Sequence, residues 1–307
     1  MPLERELARL SPEKGTLIAI GVFDGVHLGH KQLISQLIKN ARKQKLLSGV
    51  LTFRQHPLEI LSPETQFAYL TTADEKINLL RNEGVDIVIA LSFTTEIARL
   101  NARRFVSLLM KHLKMRGLVI GPNFTLGHNR EGNTDTIGNL GDELGFSLTV
   151  ISPIMVDGEV VSSTLIRKAL TEGNIKKATR LIGRPVSLFG AVISGEGRGV
   201  GLGFPTANLE VHSNQALPAD GIYATRIYLD SKTYPAVTNI GQNPTFGDNE
   251  RSVETYIINY QGNLYGRELK IDIIERLREE KKFDSVEELK KQIADDVERG
   301  QTILNSR

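Results

Sequence analysis

The chain contains no cysteine among its 307 residues. That excludes disulfides, thiolate metal centres and a cysteine nucleophile, and it fits a reducing compartment. No run approaches the roughly 18 apolar residues that mark a membrane-spanning helix, and the opening "MPLERELARL" lacks the apolar core of a secretory signal. A large charge excess is missing too: the formal net charge is +2. There is no general pull toward nucleic acid or a membrane surface, so any anion site must be local. Repeats and low-complexity segments are absent. These absences set the expectation of a cytoplasmic protein that handles small molecules, with neither nucleic acid nor membrane as partner; nothing signals an oligomeric state. What is present is ordinary globular composition, 40% hydrophobic and 24% charged, in a chain long enough for two cores.

The two halves have different rhythms. In the first, short apolar runs at 16–22, 49–53, 85–91, 116–121 and 147–152 alternate with helical patterns, such as Leu33, Ile34, Leu37, Ile38 and Ala41. Strand–helix–strand at this pace predicts an α/β domain with a mostly parallel sheet covered on both faces. Ligands on such sheets sit at the carboxyl ends of the strands, near a switch in strand order. After "RLIGRPV" (180–186), strand-like runs follow one another across Gly, Pro, Asn and Asp turns, which predicts a small antiparallel barrel or sandwich. Gly262-Asn263 reads as a hairpin turn between two of these strands. The chain closes on an amphipathic helix, capped by Ser285 with Glu288, whose apolar face carries Val286, Leu289, Ile293 and Val297. The expected domains are 1–183 and 184–307.

"GVFDGVHLGHKQL" (21–33) places His27 and His30 where the first strand turns into the first helix. A metal pair, two surface histidines in a turn, and a phosphate site are all open to this spacing. A helix start offers free N–H groups and the positive end of the macrodipole, Gly25 and Gly29 admit close approach, and imidazoles there can donate to phosphate. A metal needs further ligands, and His-x-x-His is not the i, i+4 pair of zinc hydrolases. A second segment, "VVSSTLIRKAL" (160–170), begins another helix with Ser162 or Ser163 available to cap it. Capping accounts for a serine, whereas hydroxyls plus a guanidinium at Ser163, Thr164 and Arg167 suit a polyphosphate.

"GEGRGVGLGFPTANLE" (195–210) is the other dense stretch. It holds neither G-x-G-x-x-G nor the Lys-Ser/Thr of a P-loop. A flexible loop is one reading. The other notes that Gly195, Gly197 and Gly199 can wrap phosphates with backbone N–H groups. Thr206 and Asn208 would then offer neutral oxygens to a Mg²⁺ that keeps waters and substrate phosphates. Glu254 interrupts an otherwise apolar strand, either as an outward solvated acid or as a base.

Together, "GVFDGVHLGH", "SSTLIR", "LTFRQHP" (51–57) and "GPNFTLG" (121–127) resemble the H-x-G-H nucleotidyltransferases. With "GFPTANL", "PADGIYA", "NIGQNPTF", "VETYIINYQGNLYG" and "LREEKKFDSVEELKKQI", the chain resembles the prokaryotic bifunctional riboflavin kinase/FMN adenylyltransferase (FAD synthetase) family along nearly its whole length. The resemblance implies a Rossmann-like nucleotidyltransferase domain followed by a six-stranded barrel with a terminal helix. It implies two reactions: riboflavin with ATP to FMN, then FMN with ATP to FAD and pyrophosphate, with Mg²⁺ as cofactor. His27 and His30 would be catalytic on the ATP phosphates, with Phe23, Asp24, Gly29, Asn123, Ser163, Thr164 and Arg167 around the same nucleotide. Thr206 and Asn208 would bind Mg²⁺–ATP beside the glycine loop, Glu254 would be the kinase base, and Arg278 would lie on the flavin side.

Five positions bear on that implication. Gln55 stands where the family usually has proline, Leu126 where an aromatic is common, and Asn259 where Asp is usual. His56 and His128 are structural or peripheral. The first two departures favour a narrower alternative in which only one activity, the kinase, is kept. A flavin-binding protein without turnover is a further alternative.

Overall fold

The computed structural model describes residues 2–195, 198–242 and 251–306. Contacts divide the chain into two compact units, residues 1–67 with 72–162 and residues 68–71 with 163–307. The expected boundary at 183/184 lies further along the chain, after two helices that this division groups with the barrel.

The first unit begins with α1 (Pro2–Ala8), β1 (Thr16–Ile20), α2 (Leu28–Lys43) and β2 (Leu47–Phe53). The short α3 (Leu58–Leu61), α4 (Ala73–Asn82), β3 (Ile87–Leu91), the short α5 (Thr95–Ala98) and α6 (Ala102–Leu113) follow. It ends with β4 (Met115–Ile120), α7 (Thr134–Leu144), β5 (Ser147–Val150) and a small hairpin of β6 (Met155–Val156) and β7 (Glu159–Val160). The main sheet is five-stranded and parallel in the order β3-β2-β1-β4-β5. β1 is buried along its whole length, so it reads as an unbroken apolar run. Its side chains alternate between two cores. Ile18 packs with residues of α1, α6 and α7, and Leu17 and Ala19 pack with residues of α2 and α4. The strand order reverses between β1 and β4, which marks their carboxyl ends as the ligand position.

The second unit opens with α8 (Ser163–Thr171) and α9 (Ile175–Ile182), then β8 (Val186–Ile193) and the short α10 (Arg198–Leu202). β9 (Ala207–Val211), β10 (Gly221–Leu229), β11 (Lys232–Gln242), β12 (Arg251–Ile257), β13 (Glu268–Arg278) and α11 (Val286–Asn305) complete it. Six strands close into a barrel in the order β10-β11-β12-β9-β8-β13. Closure removes free sheet edges, and the buried hydroxyls of Thr225, Thr238 and Thr255 form a row at 2.8 and 3.0 Å.

Two local expectations are corrected. Gly262-Asn263 does not turn a hairpin, because β12 pairs with β11 and β9 while β13 pairs with β8 and β10. The segment is a crossing connection whose turns fall at Ile258-Asn259 and Tyr265-Gly266, with Asn259 at φ +58° and Gly266 at φ +75°. On α11, Ser285 does accept the Glu288 N–H at 3.2 Å. However, Val286 is 60% exposed, while Leu289, Ile293 and Val297 are half-buried on the face that also buries Asp296, Gly300 and Leu304. At Gly300 an added Cβ would lie 3.0 Å from Val237 Cγ2, so glycine lets the helix lie close on the barrel.

Candidate active sites

The connection from β1 to α2 is tightly coiled. Phe23, Gly25 and Val26 all have positive φ, at 53°, 81° and 39°, a conformation that costs energy for the two non-glycine residues. Phe23, Asp24 and His27 are buried there at 3%, 3% and 5% exposure. Thr52 holds the loop by donating to the Val22 carbonyl at 2.9 Å. Aliphatic and aromatic anchoring thus fixes a turn whose last residue, His27, caps α2.

His27 Nδ1 accepts the backbone N–H of His30 at 3.4 Å. That bond leaves the proton of the neutral ring on Nε2. The two imidazoles stack with centroids 3.6 Å apart and planes 18° from parallel, and Phe23 meets His30 edge-on at 5.1 Å. Near-parallel stacked rings do not converge their in-plane lone pairs on one metal, so the pair suits hydrogen bonding to an anion better than ligation. His30 Nδ1 is buried and has no partner. Burial, reinforced by the neighbouring His27 and Lys76, holds His30 well below the usual imidazole range, so it is neutral in the free protein. Gly29 is required by this stack: an added Cβ would stand 3.1 Å from His27 Cε1 and 3.5 Å from the Val161 carbonyl.

Sequence reasoning missed Lys76. It is 2% exposed and donates to the Phe53 carbonyl at 2.5 Å. Burial lowers its pKa to about 8, with Asp24 opposing the shift. Its place on a helix pattern gave no sign that it faces inward.

Asn123 lies in the exposed loop after β4, at the carboxyl edge of the switch point. Ser163 and Thr164 form the first turn of α8. Arg167, on the same helix, donates Nε to the Ala68 carbonyl at 2.6 Å. These three residues belong to the second compact unit, and His27 and His30 to the first.

The family departures are structurally absorbed. Gln55 Nε2 donates to the Phe93 carbonyl at 2.9 Å. Leu126 pairs its backbone with Gly132 in both directions, at 3.0 and 2.9 Å, and packs on the core. Asn259 takes a left-handed φ of 58°, which Asn and Asp both tolerate. His56 accepts the Leu58 N–H and stacks on Phe67, and His128 bonds the Ala98 carbonyl.

In the second unit, a cavity of about 610 Å³ is lined by Gly195, Gly199, Thr206, Asn208, Glu254 and Arg278. Gly197 lies outside the described residues. Register explains the gathering: Glu254 on β12 stands directly opposite Asn208 on β9, and Thr206, just before β9, lines the same cavity. Glycine is needed in the loop, since a Cβ at Gly195 would fall 1.9 Å from Asn208 Nδ2 and one at Gly199 2.3 Å from the Phe204 carbonyl. Arg278 closes one wall, clamped by buried Asp296 through Nε at 3.0 and 2.9 Å and Nη2 at 2.7 Å. Sequence reasoning missed Asp296, and also Asn239, Glu280 and Phe283 in the same wall.

A doubly covered parallel sheet with a stacked histidine pair at a helix start, followed by a closed barrel with a polar cleft, defines a two-module protein of the α/β-plus-barrel class. The family model for FAD synthetase matches residues 10–165, and that for riboflavin kinase matches 182–304. The chain is 37% identical over 300 residues to the bifunctional riboflavin kinase/FMN adenylyltransferase of Escherichia coli K12, covering 96% of each. It is 36% identical to the protein of the same description from Pseudomonas fluorescens, covering 97% of this chain and 96% of that one. A solved structure from Streptococcus pneumoniae, described as a macrolide-efflux protein, superposes with a TM-score of 0.87 at 31% identity, covering 94% of this chain and 95% of that one. Among the described residues of this chain, no helix is long and apolar enough to cross a membrane. The chain belongs to the bifunctional riboflavin kinase/FMN adenylyltransferase family.

Proposed function

We propose that this chain carries out both steps of flavin cofactor synthesis: riboflavin and ATP give FMN and ADP, then FMN and ATP give FAD and pyrophosphate. The observation that carries the reading is the presence, in one chain, of the enclosed His27–His30 pair and the Asn208–Glu254 row in a separate cleft. Matches to both family models support two activities, and nothing favours the kinase-only alternative. A binder without turnover has no use for a carboxylate set against a glycine-lined cleft.

In the kinase cleft, Glu254 takes the proton of the riboflavin 5′-hydroxyl as its oxygen attacks the γ-phosphorus, and ADP departs. Gly195, Gly197 and Gly199 cradle the phosphates. The donor set fits Mg²⁺, a hard cation that takes oxygen ligands and keeps substrate phosphates. Thr206 and Asn208 would hold it through hydroxyl and amide oxygens, and it would neutralise charge on the β- and γ-phosphates. Arg278 faces the flavin.

In the adenylyltransferase site, a phosphate oxygen of FMN attacks the α-phosphorus of ATP and pyrophosphate departs, with no covalent intermediate on the protein. Catalysis there is positioning and charge stabilisation. His27 and His30 donate ring N–H groups to the phosphates, Phe23, Asp24 and Gly29 hold that geometry, and Asn123, Ser163, Thr164 and Arg167 complete the nucleotide contacts. Residues 1–183 would carry this activity and 184–307 the kinase, in the cytoplasm, where a cysteine-free chain and ATP chemistry both fit.

The test is a time course with riboflavin, ATP and Mg²⁺, the flavins being separated by chromatography. FMN accumulates first and FAD later. FMN alone removes the adenylyltransferase, and no new flavin removes both.

A further inference from the structure

The kinase cleft contains an acceptor for which the reaction as described has no use. Asn239, on β11, stands directly opposite Glu254 on β12, which in turn stands opposite Asn208 on β9. Residues paired in this way share one face of the sheet, and all three line the cavity. Asn239 Oδ1 is buried without a hydrogen-bond partner, a state that costs free energy unless something fills it.

The orientation of that amide is fixed from behind. Asn239 donates a hydrogen bond to the Glu280 carboxylate, and only its NH₂ can do so, which turns Oδ1 elsewhere. Glu280 reaches this position because residue 241 is glycine: its Oε1 occupies the space that a Cβ there would need. Desolvation and the charge of Asp220 raise the Glu280 pKa, while the Asn239 hydrogen bond opposes the rise. A buried, unpartnered acceptor calls for a ligand hydroxyl or N–H.

Glu254 decides which. Adjacent strands lie about 4.8 Å apart, so the acceptor sits roughly one strand spacing from the base. A polyol with its terminal hydroxyl at Glu254 presents further hydroxyls along that same direction. We propose that Asn239 Oδ1 accepts a hydrogen bond from a hydroxyl of the riboflavin side chain and seats that chain with its terminal hydroxyl at Glu254. This inference rests on the kinase reading and adds a specificity-determining residue to it.

The experiment compares riboflavin with an analogue bearing a hydroxypentyl side chain, which keeps the terminal hydroxyl and loses the three others. Phosphorylation of each is measured on the full chain with Mg²⁺ and ATP, for the native protein, Asn239→Ala and Asn239→Ser. Conversion of FMN to FAD by the same preparations controls for folding. In Asn239→Ala, kcat/KM for riboflavin falls roughly tenfold, the scale of one neutral hydrogen bond, while that for the analogue stays within about twofold. Asn239→Ser shows the same selective loss, and stands alone if the alanine variant does not fold. An equal loss on both substrates, or no loss on either, overturns the assignment and leaves the kinase reading in place. A native protein that makes no FMN defeats the kinase reading itself.

Discussion

His27 is both the N-cap of α2 and the stacking partner of His30, whose backbone N–H it accepts 3.4 Å away. One side chain therefore serves the fold and the proposed phosphate site together, and the two roles separate by substitution. His27→Asn keeps a good cap, so it holds stability near native, whereas His27→Ala loses about 1 kcal/mol. Both lose the ring donor, and FAD formation falls roughly 100-fold or more in each. Thermal unfolding and FMN-to-FAD rates check this. An Asn variant with native FAD synthesis would contradict it.

Lys76 makes stability depend on alkaline pH. Its pKa is lowered to about 8 from 10.5, so between those values the unfolded chain holds a proton that the native state has released. More protons on the unfolded state mean that stability rises with pH. The burial cost is fully present below pH 8 and is relieved as pH climbs toward the unfolded value, by about 3 kcal/mol in all. Urea unfolding of the native protein and Lys76→Met from pH 7.5 to 10.5 isolates the term. The variant loses that rise, and identical slopes for the two proteins would refute it.

Gly195→Ala sends a methyl toward Asn208, whose Nδ2 lies 1.9 Å from the new Cβ position. The asparagine or the loop must move, and displacement of a positioned group by about 1 Å can cost roughly 100-fold. The kinase KM for Mg²⁺–ATP rises and kcat falls, with FMN-to-FAD conversion unchanged. Steady-state kinetics of the two activities read the outcome directly.

Asp296 is 4% exposed and carries the Arg278 guanidinium. Removing it alone leaves a largely buried cation unpaired, at a cost of about 3 kcal/mol. Asp296→Ala lowers the unfolding midpoint and raises KM for riboflavin while leaving KM for ATP near native. Pairing Arg278→Met with Asp296→Leu recovers stability without recovering riboflavin affinity. Recovery of both would show that the pair only holds the helix on the barrel.

Much of this was legible in the sequence, for physical reasons. β1 reads as a strand because it is buried on both faces, and Ser285 reads as a cap because its hydroxyl has one obvious donor three residues on. Thr206 and Asn208 read as a pair because they are two neutral oxygen donors set close together beside a glycine loop. Long-range register was hidden. That Asn239, Glu254 and Asn208 form one row depends on barrel closure and strand order, which also made Gly262-Asn263 a crossing rather than a hairpin. Inward-turned charges were hidden as well: Lys76 and Asp296 lie on amphipathic helices where Lys and Asp ordinarily face water.

The central claim, two reactions at two separate sites in one chain, is tested most directly by Glu254→Gln and His30→Ala assayed side by side. Each folded variant is given riboflavin with ATP and, separately, FMN with ATP. Glu254→Gln makes no FMN yet converts supplied FMN to FAD, and His30→Ala makes FMN and stops there. If either variant, still folded, loses both conversions, the division of the chemistry between His30 and Glu254 is wrong.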